Sequence, residues 1–240
     1  MDKIQKNIIE YFKNKLGENL VSIYAVGSFL TEDFIEGYSD IDLIVFVKKT
    51  EELPHSEHIK NLSDRNKIET GASYIAYDDF LNRIENNDKA TRFFSNISAL
   101  KMKNGQSFLL YGKNLAKMLP AKNILLARDL ESDLRENYFH AKSNDPEKNI
   151  FRKEPSNWLN YILNMSNDLL IAKGIFSRKQ DIAKKLREYY PDFCSIPTIE
   201  KALELRAERK VFFNKKESNE LKNALSDFLE DYLIAANQLE

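Results

Sequence analysis

The chain has 240 residues, 42% of them apolar and 30% charged, which is the make-up of a globular protein with a sizeable core. A net charge of −1 gives no global pull on nucleic acid, and the single Cys194 excludes an internal disulfide. No run approaches the roughly 20 apolar residues of a membrane span, and the charged opening MDKIQKNIIEYFKNKL lacks the apolar centre of a signal peptide. The expectation is a cytoplasmic monomer that engages neither membrane nor nucleic acid.

Ile4, Ile8, Phe12 and Leu16 form one stripe, so residues 2–16 read as an amphipathic helix stopped at Gly17. Leu20 to Val26 and Ile41 to Val47 read as strands around a polar loop. Residues 55–66 read as a short helix or a loop. Ile68 to Tyr77 reads as a third strand, in which Gly71 either weakens the strand or marks a close backbone approach. Asp78-Asp79 reads as the cap of a helix carrying Phe80, Leu81 and Ile84. Residues 86–107 are polar and show no clear period. Ser107 to Gly112 reads as a short strand, and Leu119-Pro120 marks a boundary.

Beyond Pro120 the period is helical. Ile124, Leu134 and Tyr138 suggest one helix. Trp158, Ile162, Met165, Leu169 and Ala172 give a second, with Ser156 as its cap and Gly174 as its stop. Ile182, Leu186 and Tyr189 give a third, Ile199, Leu203 and Ala207 a fourth, and Leu221, Leu225, Phe228, Tyr232 and Ala236 a last one. Strands first and helices later define an α+β chain, with a first domain at 1–120 and a helical bundle at 121–240. Trp158 is open to two readings, a core residue on its helical stripe or a surface on which an acceptor or base stacks.

The chemistry gathers in Val21 to Val47, VSIYAVGSFLTEDFIEGYSDIDLIVFV. Asp40 and Asp42 are two apart at the head of a strand, so both carboxylates project from one face. Two acids on one face repel unless a cation sits between them, and oxygen ligands suit a hard ion such as Mg²⁺. Gly27-Ser28 precedes them in a turn whose N–H groups can cradle an anion. A phosphate cradle beside metal-binding acids is equipment for phosphoryl or nucleotidyl transfer.

Gly27-Ser28, an eleven-residue gap, then Asp40-Ile41-Asp42 resembles the motif of the DNA-polymerase-β-like nucleotidyltransferases. Within that superfamily the chain most resembles the streptomycin/spectinomycin type of aminoglycoside adenylyltransferase. The resemblance implies an N-terminal nucleotidyltransferase fold, a mixed sheet flanked by helices, followed by a C-terminal α-helical domain that closes over substrate and nucleotide. It implies an enzyme that moves AMP from ATP, with Mg²⁺, onto a hydroxyl of a small acceptor, most plausibly an aminoglycoside, as in antibiotic resistance.

Residue by residue, the resemblance implies Asp40 and Asp42 as metal ligands and catalytic groups. It assigns Gly27, Ser28 and Ser39 to the nucleotide. Glu69 matches the position of the general base, in a stretch that leads through apolar residues to Asp78-Asp79. Gly174-Ile175-Phe176-Ser177-Arg178-Lys179 resembles the helical domain's phosphate-contacting element, with Lys179 at the lysine position and Arg178 beside it. The chain departs from the pattern at Ser166, where a basic residue is expected thirteen positions before that lysine. A nucleotidyltransferase acting on a partner protein, as the antitoxin members do, and a non-catalytic nucleotide-binding module are the alternatives.

Overall fold

The computed structural model describes residues 2–36, 39–50, 53, 56–86, 96–105, 107–119, 127–146 and 148–239. Pro120, Ile124 and the stretch 87–95, which enter the sequence reading above, lie outside the described residues. The chain divides into two compact units, Met1–Ile124 and Leu125–Glu240.

The first unit is built on a sheet. Its elements are α1 (Asp2–Leu16), β1 (Leu20–Val26), β2 (Ile41–Val47), β3 (Ser56–His58), α2 (Lys60–Asn66), β4 (Thr70–Ala76), α3 (Tyr77–Asn86), α4 (Asn96–Lys103) and β5 (Phe108–Gly112). The strands lie in the order β3-β4-β2-β1-β5. β2 runs parallel to β4 and antiparallel to β1, so the sheet is mixed.

Alternation along each strand sends side chains to two separate cores. Ile23, Ala25, Leu43, Val45 and Tyr74 pack with Ile8 and Phe12 of α1 and Leu62 of α2. Tyr24, Phe46 and Ile75 pack with Phe80 of α3, Met102 of α4 and Leu115 on the opposite face. The Tyr24 hydroxyl accepts the Leu115 backbone N–H at 2.7 Å in this second core.

Four details depart from the sequence reading. The third strand begins at Thr70, because Ile68 lies in the turn that leaves α2. Residues 55–66 hold a three-residue edge strand as well as a helix. The region without a clear period holds α4. Asp78 and Asp79 sit inside the first turn of α3, which starts at Tyr77, so they complement the helix dipole rather than cap it.

The second unit is helical: α5 (Ala127–Ala141), α6 (Pro155–Ala172), α7 (Ile182–Tyr189), α8 (Ile196–Ala207) and α9 (Lys215–Ala236). α6 packs against the other four. Its N-cap is Glu154, not Ser156, because Pro155 takes the first helical position, where a missing N–H costs nothing. Its C-terminus closes on Gly174 at φ +75, with Gly174 N–H donating to Ile171 and Ile175 N–H to Leu170. Trp158 is 5% exposed and donates its indole N–H to the Ile150 carbonyl at 2.8 Å, so it is a core residue. Asn214 opens α9 with a reciprocal capping box to Glu217.

Candidate active site

β1 ends at Val26, which pairs with Asp42 across the antiparallel ladder. The chain then turns sharply at Gly27, whose φ of +72 lies where side chains are strained. The turn is held by Thr31, which gives both its N–H (3.0 Å) and its hydroxyl (2.7 Å) to the Ser28 carbonyl. Ser28 itself is 8% exposed. A Cβ on Gly27 would lie 3.6 Å from Asp42 Oδ2, so the turn's backbone lies against that carboxylate.

The loop returns through Ser39. Its N–H donates to the Ile35 carbonyl at 2.8 Å, and its Oγ accepts the Ile35 N–H at 3.0 Å. Ser39 thus pins the loop immediately before the acids. Asp40 and Asp42 follow, both exposed, while Ile41 and Leu43 between and after them are buried. Alternation puts Asp42 on the Ile44 and Phe46 side of the sheet, at the end where its core stops.

The parallel ladder brings in β4. Asp42 pairs with Gly71 and Ile41 with Thr70, and the Ile41 N–H reaches back to the Glu69 carbonyl at 2.8 Å. Continuing that register sets Glu69 beside Asp40. Asp40, Asp42 and Glu69 therefore share one face at one end of the sheet, and all three are exposed. Spacing alone had paired Asp40 with Asp42, and resemblance had added Glu69. Their neighbourhood comes from the pairing of β2 with β4, which is non-local.

The donor set fits Mg²⁺. It consists of carboxylate oxygens only, and the backbone to either side of Asp42 is that of Gly27 and Gly71, neither of which carries a Cβ toward it. Among the described residues no three or more His, Cys, Asp or Glu side chains assemble a metal cage. An ion held here by one or two carboxylates takes its remaining ligands from phosphate oxygens and water.

In the second unit Gly174 leads into a loop in which the Ser177 hydroxyl donates to the Arg178 carbonyl at 3.0 Å. Lys179 opens a single 3₁₀ turn, Lys179–Asp181. Arg178 is exposed and Lys179 half-buried. Ser166, on α6, is fully buried, and its Oγ has no hydrogen-bond partner among the described residues.

One residue of the site escaped the sequence reading, and a second was noticed there without a place in the site. Thr31 holds the Gly-Ser turn, and its signal was a hydroxyl three positions after Ser28. Gly71 lies between the acids, and its signal was a glycine in the middle of a strand.

A glycine turn set against paired carboxylates at the end of a mixed sheet is the arrangement that the motif's resemblance implies. Residues 5–98 match the family model for a nucleotidyltransferase domain. Over those residues the chain carries a nucleotidyltransferase domain. Among solved structures it is similar to spectinomycin adenyltransferase AAD(9) from Enterococcus faecialis, solved with ATP and spectinomycin. The match covers 96% of this chain and 99% of that one at 15% identity, with a TM-score of 0.58. The two share a fold across both units. No curated protein matches the chain. Among the described residues no helix is long and apolar enough to cross a membrane.

Proposed function

We propose that the protein transfers AMP from ATP onto a hydroxyl of a small acceptor, and that the acceptor is an aminoglycoside of the streptomycin or spectinomycin kind. The observation that carries this reading is the register at the sheet's end, which sets Gly27, Asp42 and Gly71 side by side. The fold shared with a spectinomycin adenyltransferase supports the acceptor class.

Asp40 and Asp42 are the residues that hold Mg²⁺. The bound ion neutralises triphosphate charge and favours departure of pyrophosphate. Ser28, with the N–H groups of its turn, holds the terminal phosphates, while Ser39 keeps the loop in place. Glu69 accepts the proton of the acceptor hydroxyl as its oxygen attacks. The new bond joins acceptor oxygen to the α-phosphorus. The bond from that phosphorus to the bridging oxygen breaks, and its electron pair leaves with pyrophosphate. Lys179 and Arg178 are the cations assigned to phosphate oxygens, by resemblance of the loop that carries them. In this scheme the first unit is the catalytic domain, the helical unit serves substrate and nucleotide, and a monomer suffices.

The test is a mass measurement. Purified protein, Mg²⁺ and ATP are incubated with a panel of aminoglycosides. A gain of one AMP on streptomycin or spectinomycin is the expected result. No modified acceptor anywhere in the panel, with ATP still bound, overturns the acceptor class and leaves the nucleotide chemistry.

A further inference from the structure

Gly71 has no backbone reason to be glycine. It sits in the interior of β4, and its φ lies outside the left-handed region. Every other residue of β4 carries a side chain, and a glycine in a strand interior weakens the strand. Among the described side chains a methyl group here would meet Asp42 Oδ1, at an ordinary contact distance of 4.0 Å. An alanine would therefore fit the strand and cost it less backbone entropy than glycine does.

What an added side chain would fill is the space beside the acids. Gly71 pairs with Asp42 and follows Glu69 by two residues, so it lies on their face and between them. Along that face Phe46 pairs with Ile75 in the core, Ile44 with Ser73 one step out and Asp42 with Gly71 beyond it, and the register continues to Asp40 and Glu69. The glycine leaves a stretch of backbone without a side chain beside both Asp42 and Glu69.

We propose that Gly71 is a specificity-determining residue, the floor of the acceptor subsite between Glu69 and Asp42, on which the hydroxyl-bearing ring of a small polyhydroxylated acceptor lies. This assignment rests on the transfer reading above and goes further by naming where the acceptor sits. It makes the missing side chain a steric filter. The subsite takes a flat ring against backbone, and any larger residue at position 71 lifts that ring away from Glu69.

Gly71→Ala and Gly71→Val test it. Ligand-free melting of both variants should be no lower than wild type, and the acceptor should lose more affinity than Mg·ATP. Acceptor binding to protein loaded with a non-hydrolysable ATP analogue should weaken. The acceptor KM should rise, by about tenfold for Ala and about 200-fold for Val, the range that misfit of a methylene-sized group commands. A purely structural role for Gly71 would instead lower melting and weaken ATP and acceptor together, which overturns the proposal. A Val variant with wild-type acceptor KM overturns it too, while leaving the transfer reading intact. A wild-type protein that binds Mg·ATP but modifies no small hydroxyl acceptor overturns both.

Discussion

The acids of the sheet unit's site and the polar groups inside the helical unit stand in opposite surroundings. In the sheet unit the acids that matter are exposed at strand ends: Asp40, Asp42 and Glu69 all stand at one end of one face. In the helical unit the notable polar groups are inside. Asp168 is 9% exposed and accepts the Asn137 side-chain amide at 3.3 Å; Tyr232 and Ser166 are fully buried; the Tyr190 hydroxyl donates to the Leu169 carbonyl at 2.9 Å. Carboxylates exposed at the rim of a sheet can meet a ligand. Polar groups inside a helical bundle serve the bundle. Substitutions in the first set should therefore cost activity without stability, and those in the second stability first.

The sharpest test of that contrast is Asp42→Asn. An exposed side chain is exchanged for an isostere, so melting should stay put. Losing a metal ligand removes several kcal/mol of transition-state stabilisation, a fall of about a thousandfold or more in transfer rate. A large drop in melting temperature would break the comparison. On the other side, Phe228 of α9 is fully buried against Phe193 and Tyr232. Phe228→Ala should cost about 3–5 kcal/mol in a denaturant titration.

Smaller effects sharpen the same line. Tyr24 is a buried phenol of the sheet unit, and Tyr24→Phe orphans the Leu115 N–H at a cost of about 1–3 kcal/mol. Asn214→Ala removes the cap of α9 and should cost about 1 kcal/mol.

The helical unit also carries a pH signature. Burial pushes the phenols of Tyr161, Tyr190 and Tyr232 up, the last two by more than the first. A raised folded-state pKa means the folded chain holds the proton more tightly than the unfolded one. The resulting stability is complete below the unfolded phenol's value of about 10 and is lost as pH rises beyond it. Helical circular dichroism should therefore fall at alkaline pH, and Tyr190→Phe should make that fall shallower.

How far the sequence spoke depended on whether the deciding contacts were local. β1 and β2 were readable to the residue, since each is a compact apolar run beside a polar loop. The Gly27-Ser28 turn and the Asp40/Asp42 pair were readable because spacing within one strand fixes their face. The edge strand Ser56–His58 was not, because three residues carry no period. Ile68 drew the third strand two residues too early, and Pro155 moved the start of α6 ahead of Ser156. The meeting of Glu69 with Asp42 came only from resemblance, and that of Gly71 with Asp42 not at all, for a different reason. It depends on β4 lying parallel to β2, and nothing in either strand's own sequence states its partner.

The central claim is that the acids at the end of β2 hold a metal-bound nucleotide for transfer. ATP binding to the wild-type protein and to Asp42→Asn, titrated with and without Mg²⁺, tests it most directly. The account predicts tight binding by the wild type only when Mg²⁺ is present, and loss of that metal dependence in the variant. Equal, Mg²⁺-dependent binding by both proteins would contradict it.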